Sequence, residues 1–106
     1  MTDVVDRVLA ALNAKDVDAF VACYAEDATI EDGYDRVAAR GRDGLRERYG
    51  SLFERYPEVH VEAVRRTDAG DFVVQEETVT GRDGDEHHVA VYLVVDGLIA
   101  RERLFA

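Results

Sequence analysis

Hydrophobic residues in the first half of the chain recur at helical spacing. The first group follows the steps i, i+1, i+4, i+5 and i+8, which places its members on one face of a helix: Val4, Val5, Val8, Leu9 and Leu12. The segment Asn13–Lys15 interrupts this pattern, and Asp16 is a suitable N-cap for a second helix. A third helix is predicted from about Arg42 to Tyr56, because Pro57 disfavours helix in the residue before it.

After Pro57 the pattern changes to period two with many β-branched residues, which is typical of strands. The predicted strands are Glu58–Thr67, Asp71–Thr80, Glu86–Val95 and Leu98–Phe105. A shorter strand, Ala28–Asp32, precedes the third helix, and the polar segment Gly33–Arg40 is predicted to be a loop, with the properties of a flap over a pocket. Helices followed by an antiparallel meander indicate an α+β fold, and a length of 106 residues indicates one domain, 1–106.

The short strand carries the first candidate for chemistry. Strand side chains alternate between two faces, so Ala28, Ile30 and Asp32 lie on one side. If that side faces the interior, Asp32 is a carboxylic acid in mostly apolar surroundings, which suits proton transfer near neutral pH. Asp32 is therefore a candidate catalytic base, and the alternative is an acid that caps the following loop or lies in solvent.

Two segments resemble a known family. The run LNAKDVDAFVACYAEDATIED, followed by GRDGLRERY, resembles the ketosteroid isomerase and SnoaL-type polyketide cyclase branch of the nuclear-transport-factor-two-like superfamily, and the resemblance extends from Val4 to Phe105. It implies a cystatin-like α+β barrel: a cone-shaped, curved, mostly antiparallel sheet wrapped around three N-terminal helices, with a ligand cavity between them. Its members include isomerases, cyclases, dehydratases, epoxide hydrolases and proteins without catalysis, so the fold alone does not select a reaction.

The resemblance also implies roles for individual positions. It places the isomerase base at Asp32, and it places Arg48 and Tyr49 at the cavity. Val8 and Val91 fall where the isomerases have the two hydrogen-bond donors of their oxyanion hole. Neither valine can donate, and loss of one such donor typically costs about 10²–10³ in rate. A standard ketosteroid isomerase activity is therefore not expected.

When the alternation of inward and outward residues is extended to the strands of the meander, it predicts a cavity with many polar side chains. The inward set would include Gln75 and Glu77, then His87, and on the last strand Arg101, Arg103 and Phe105. A slip of one residue would turn the opposite face of the last strand inward: Leu98, Ala100, Glu102 and Leu104. The residues alone leave both registers open.

These positions together predict a cavity for a small organic molecule. Asp32, His87 and Tyr49 are the predicted catalytic residues. The predicted substrate-binding residues are Arg48, Gln75, Glu77, Arg101, Arg103 and Phe105. The first interpretation is an isomerase- or cyclase-type enzyme that transfers a proton through Asp32. The alternatives are epoxide-hydrolase- or dehydratase-like water chemistry with an Asp–Arg pair, and a binding protein without catalysis.

Composition narrows the choice of partners. A net charge of −10 disfavours nucleic acid, which requires clustered cations. His87 and His88 are adjacent on a strand and point to opposite faces, so they do not form a metal-binding pair, and neither a metal nor another cofactor is predicted. No apolar run is long enough for a membrane span. The lone Cys23 fits a reducing, cytoplasmic location.

The same meander predicts a homodimer. The strand Glu86–Val95 has apolar residues on both faces, although an antiparallel sheet needs only one face for its own core. With His87 inward, the outer face would carry His88, Ala90, Tyr92 and Val94. We expect this outer face to bind a second copy.

Overall fold

The computed structural model describes residues 3–33 and 36–106. In this part of the chain the helices are α1 (Val4–Ala14), α2 (Val17–Ala22) and α3 (Gly41–Arg55). The strands are β1 (Tyr24–Asp32), β2 (Arg36–Arg40), β3 (His60–Ala69), β4 (Phe72–Thr80), β5 (Glu86–Val95) and β6 (Leu98–Phe105).

The first two helices begin at the residues that can cap them. The side chain of Asp3 accepts a hydrogen bond from the backbone N–H of Asp6, and Asp16 accepts one from Ala19, both at 3.0 Å. Lys15 adopts a left-handed conformation that ends α1. The hydrophobic stripe of α1 is buried as its spacing predicts, since Val5 and Val8 are almost inaccessible.

The six strands form one curved, unclosed sheet in the order β2-β1-β6-β5-β4-β3. The β1–β6 pair is parallel and the other pairs are antiparallel. Helix α3 packs on β1 and β2, and α1 packs on β3 and β6. The α+β class and the cone of helices inside a curved, mostly antiparallel sheet are therefore confirmed.

The side chain of Asn13 joins the helical layer to the sheet. Its Nδ2 donates to the carbonyl of Val61 at 3.0 Å, and its Oδ1 accepts from the N–H of Val61 at 2.8 Å. The ammonium group of Lys15 donates to the carbonyl of Val59, two residues earlier. The turn between α1 and α2 is thereby fixed to the start of β3, which is one wall of the interior.

The prediction of a loop over Gly33–Arg40 is wrong for its second part. Residues Arg36–Arg40 form the edge strand β2, and Tyr34 and Asp35 lie outside the described residues. Ala39 is paired with Ile30 and is buried, so this small apolar residue extends the inner face of the sheet onto β2.

The predicted register of β5 is also wrong, by one residue. Ala90 and Tyr92 are buried on the inner face, and His88 shares their side of the strand. The opposite residues, including Val89 and Val91, face outward. Both faces of this strand are apolar, so alternation alone does not choose between them.

A β-bulge changes the phase of β6. Ile99 points inward as predicted, but the register with β5 shifts between Leu93 and Val94, so that Ala100 is an extra residue. Beyond the bulge Glu102 is buried on the inner face, and Arg101 and Arg103 are on the outer face. Because of this one bulge, Glu102 faces the interior, and the two arginines that were predicted to face it lie on the outer face.

Candidate functional site

A cavity of about 340 Å³ lies between the inner face of the sheet and the helices. Its walls are mainly apolar, formed by Val8, Leu9, Leu12, Phe20, Leu52, Val59, Val61, Val79 and Leu104. Polar side chains are concentrated at two places: a floor on β1, β4, β5 and β6, and a mouth on α3 and the β4–β5 connection.

Glu77 is the centre of the hydrogen bonds at the floor. Its Oε2 accepts from Gln75 Nε2 at 2.7 Å and from the hydroxyl of Tyr92 at 2.6 Å, and its Oε1 lies 2.8 Å from Nε2 of His88. The residue is 2% exposed. Three neighbours thus satisfy both oxygens of a buried carboxylate, which is the condition for burying a charge without a large cost.

Glu102 is the second carboxyl group of the floor. Its Oε1 accepts a hydrogen bond of 2.5 Å from the hydroxyl of Tyr24, while Oε2 makes no hydrogen bond to a residue of the described ranges. Burial, with the negative charges of Glu77 and Asp32, raises the pKa of Glu102 to about 7, although the bond from Tyr24 opposes this. Glu102 therefore exchanges a proton near neutral pH and has one free oxygen at the cavity.

His88 provides the cationic counterpart. Burial by itself lowers the pKa of His88, but the hydrogen bond and charge of Glu77, with the charges of Glu102 and Glu86, more than offset this and raise the pKa above its usual value. The floor therefore combines two carboxyl groups with one imidazole, which is hydrogen-bonded to Glu77.

The tyrosine hydroxyl groups on and around the floor stay protonated. Burial, followed by the nearby charge of Glu102, raises the pKa of Tyr24, Tyr49 and Tyr92. Tyr49 lies on α3 with its ring centroid 4.3 Å from that of Phe20. These tyrosines therefore act as neutral hydrogen-bond donors across the whole physiological pH range.

Part of the predicted site is brought together at this cavity. Arg48, Tyr49 and Glu77 line it, and Gln75 supports it from behind through Glu77. Asp32 lies on the same inner face, half-buried and paired with Leu104 and Arg36, but it does not line the cavity. The roles of these residues in binding or catalysis stay predictions.

The other predicted residues are on the outer face of the sheet. His87 is mostly exposed, with Nε2 3.0 Å from Oε1 of Glu76. Nε of Arg101 donates to Oε1 of Glu31 at 2.8 Å, and Nε of Arg103 donates to Oε2 at 2.9 Å. These two bonds lower the pKa of Glu31. The prediction that His87, Arg101 and Arg103 face the cavity is therefore wrong, for the register reasons given above.

Phe105 shares this outer side, since it is paired with Val89 and follows Arg103 by two residues. It does not line the cavity, contrary to the prediction.

The two positions at which the isomerases have their oxyanion-hole donors differ in this structure. Val8 does line the cavity, but Val91 does not, and the neighbouring Tyr92 contributes a hydroxyl instead. The interior therefore contains a donor that the alignment to Val91 missed.

The mouth carries three arginines: Arg48, Arg55 and Arg82. The guanidinium carbons of Arg55 and Arg82 lie 5.3 and 5.6 Å from the centroid of the Tyr56 ring. The hydroxyl of Tyr56 donates to Asp83 Oδ2 at 2.8 Å, which orients the ring. The two arginines are therefore held beside one aromatic surface at the opening of the cavity.

The sequence pattern missed His88, Tyr24 and Tyr92 as cavity residues, and it placed Glu102 inward only in the alternative register of the last strand. A local signal favoured that register. Leu98, Ala100, Glu102 and Leu104 form the more apolar face of β6, and a face with a single acid among apolar residues is the better candidate for burial. No comparable signal distinguishes the two faces of β5.

We expect Tyr92→Phe to lower the free energy of unfolding by roughly 1–2 kcal/mol, because it removes one of three donors to the buried carboxylate of Glu77. Tyr56→Phe is the matched control, since it removes a hydroxyl bond at the surface and should leave stability unchanged. Urea denaturation of both variants measures the difference. Equal stabilities would contradict the arrangement around Glu77.

Within residues 3–33 and 36–106, no three His, Cys, Asp or Glu side chains are grouped so that they could hold a metal ion. None of the helices described is long and apolar enough to cross a membrane.

Comparison with solved structures finds the same fold elsewhere. A cystatin-fold protein from Novosphingobium aromaticivorans is 28% identical over 97% of this chain and 95% of that protein, with a TM-score of 0.90. The epoxide hydrolase/cyclase-like enzyme SalBIII, which has a role in pyran ring formation in the polyether salinomycin, is 26% identical over 96% and 86%, with a TM-score of 0.82. A protein of ketosteroid isomerase-like fold from Catenulispora acidiphila, solved with trimethylamine, is 18% identical over 99% and 87%, with a TM-score of 0.79.

The family comparison covers nearly the whole chain. The model of the SnoaL-like domain matches residues 5–102. This range runs from α1 to Glu102 on β6 and so includes most residues of the floor and the mouth. The chain therefore belongs to the SnoaL-like domain family.

Proposed function

We propose that this protein is a small-molecule enzyme of the isomerase or cyclase type, and that Glu102 transfers the proton. The observation that carries this is the position of Glu102 at the floor of an apolar cavity. One of its oxygens is bound by Tyr24, and the other has no hydrogen-bond partner among residues 3–33 and 36–106. A pKa of about 7 for Glu102 gives comparable amounts of acid and base at neutral pH. Glu102 takes the role that the sequence assigned to Asp32.

The surrounding groups support a proton transfer in both directions. The Glu102 carboxylate removes a proton from a carbon or oxygen acid, and the resulting carboxylic acid returns it at another position. Tyr24 fixes the carboxyl group by its hydrogen bond, and the positive charge of His88 compensates negative charge that develops on a bound molecule. The half-buried Asp32 acts in this proposal through its charge, which favours the protonated form of Glu102.

The Kemp elimination tests the base without knowledge of the natural substrate. In this reaction a base removes the ring C–H proton of 5-nitrobenzisoxazole, the N–O bond breaks, and a coloured cyanonitrophenolate forms. We expect turnover to rise with pH around a midpoint near 7, the pKa of Glu102. Glu102→Gln should lower kcat/KM at least about tenfold, because it removes the base.

Asp32→Asn is the discriminating variant in the same assay. It should retain most of the turnover, because Asp32 does not line the cavity. A large loss in Asp32→Asn with full activity in Glu102→Gln would return the base to Asp32. Binding of the probe without any turnover in the wild-type protein would favour the non-catalytic alternative.

A second candidate is epoxide opening with ring closure, and the 26% identity with SalBIII favours it. Here protonated Glu102 donates to the epoxide oxygen while a C–O bond breaks. A hydroxyl group of the same molecule or water forms the new C–O bond, and the proton that it loses returns to the Glu102 carboxylate through solvent. The predicted Asp–Arg pair does not support this version, since no ion pair joins Asp32 to an arginine among the described residues. Consumption of styrene oxide that depends on Glu102 would support it.

We further propose a homodimer through the outer face of the sheet. The residues predicted for this face, His88, Ala90, Tyr92 and Val94, are on the inner side, so the interface is formed by their neighbours. The exposed and half-buried apolar residues of this face are Phe72, Val74, Val89, Val91 and Leu93. A contiguous apolar patch on an otherwise strongly charged chain supports association.

Sedimentation velocity tests the dimer. We expect a dimer mass at micromolar concentration, and a Val91→Arg variant should raise the dissociation constant at least about tenfold, because it buries an unpaired charge. Val64→Arg, on β3 at a residue 53% exposed, is the matched control and should remain dimeric. A wild-type monomer at these concentrations would refute the proposal.

A further inference from the structure

The mouth of the cavity has a charge opposite to that of the chain as a whole. The protein has a net charge of −10, yet the exposed residues that line the cavity include three arginines. Arg55 forms no ion pair with a carboxylate of the described residues; its recorded partner is the ring of Tyr56. Nε of Arg82 lies 3.4 Å from Oε2 of Glu86 in an exposed pair, and the guanidinium group has further N–H donors that can bind another anion. This is a local cationic site in an acidic protein.

The floor has the opposite preference. Glu77 and Glu102 are buried there, and three tyrosine hydroxyls stay protonated around them. A ligand anion at the floor would meet two carboxyl groups and one imidazole that is already paired with Glu77, whereas the same anion at the mouth meets guanidinium groups. Between the two ends the walls are apolar. The cavity therefore favours a molecule with one anionic end, an apolar body and an opposite end without negative charge.

We propose that the cavity takes organic carboxylates with an apolar body, and that Arg55 and Arg82 bind the carboxylate at the mouth beside Tyr56. Arginine suits this role because its planar donors match the two oxygens of a carboxylate. The Tyr56 ring and its bond to Asp83 keep both guanidinium groups at the opening. The proposal shares with the proposed function the use of the cavity as a ligand site, but it does not depend on the chemistry of Glu102.

Titration calorimetry with three probes of one shape tests this: 2-naphthoate, 2-naphthamide and 2-naphthylmethylammonium. At pH 8 the wild-type protein should bind the carboxylate at least about tenfold more tightly than the amide, through charge-assisted hydrogen bonds. Arg55→Gln and Arg82→Gln should each weaken naphthoate binding several-fold, and the double variant should remove the preference over the amide. Arg46→Gln is the control, because Arg46 is on the same helix but pairs with Asp18.

The outcomes separate the two proposals. Equal affinity for naphthoate and naphthamide, tighter binding of the ammonium probe, or an undiminished preference in the double variant would each overturn the carboxylate site, while leaving the cavity as a ligand site. Failure of all three probes to bind at millimolar concentration would count against the cavity itself. Loss of Kemp turnover in Glu102→Gln, with the carboxylate preference intact, would support both.

Discussion

Between pH 5 and pH 8 the free energy of unfolding is expected to fall by roughly 3 kcal/mol. The reason is that Glu102 has a pKa of about 7 in the folded protein against 4.5 for an ordinary glutamate. Over this range the folded state holds a proton that the unfolded state has released, so rising pH favours unfolding. His88 acts in the same direction above pH 6.5, since its pKa is also raised by folding. Urea denaturation across the pH range measures the fall.

Glu102→Gln should remove most of this pH dependence, because the amide is neutral at every pH in the series. Glu62→Gln is the matched control, since it makes the same substitution at a glutamate that is exposed on β3. Folding lowers the pKa of other acids, such as Asp3 and Glu31, and these acids make the protein more stable as the pH rises. Their contribution changes mainly below pH 5, which is outside this range. Identical slopes in the wild type and Glu102→Gln would contradict the buried, protonated state of Glu102.

The second large change in the free energy of unfolding is expected for a substitution of Gly81, where the β4–β5 connection begins. Gly81 has a φ of +82°, and a Cβ atom there would lie 2.1 Å from the backbone oxygen of Glu58. Gly81→Ala therefore combines an unfavourable backbone conformation with a backbone clash, and we expect it to lower the free energy of unfolding by roughly 3 kcal/mol. Thermal and urea denaturation measure this loss.

Gly84→Ala, three residues later in the same connection, is the control. A Cβ at Gly84 would have no atom within 4 Å, and the residue has no positive φ, so the change should stay within about 0.5 kcal/mol. The same connection carries Arg82, so Gly81→Ala should also weaken naphthoate binding more than naphthamide binding. If both alanine variants are equally stable, the close approach between Gly81 and Glu58 is not a feature of the folded protein.

The sequence predicted the elements well because their signals are local. The helical spacing from Val4 to Leu12 and the Asp16 cap are read within a few residues, and Pro57 marks a real boundary. It also placed Arg48, Tyr49 and Glu77 correctly at the cavity.

The site was harder because it depends on register, which is set across strands. The two faces of β5 are both apolar since one covers the helices and the other forms the exposed patch, so His87 and His88 could not be distinguished. The bulge at Ala100 leaves no mark in a period-two pattern, and it decides whether Glu102 or the neighbouring arginines enter the interior. The apolar character of the Leu98–Leu104 face was the one local indication.

The central claim is that Glu102 is a buried carboxyl that titrates near neutral pH at the floor of the cavity. Its most direct test is a ¹³C NMR titration of the side-chain carboxyl groups in protein labelled at glutamate, with the Glu102 signal assigned from its absence in Glu102→Gln. We predict a midpoint near pH 7 for that signal, in accord with a pKa of about 7 for Glu102. A Glu102 signal that titrates with a midpoint at or below the ordinary value of 4.5 would contradict the account.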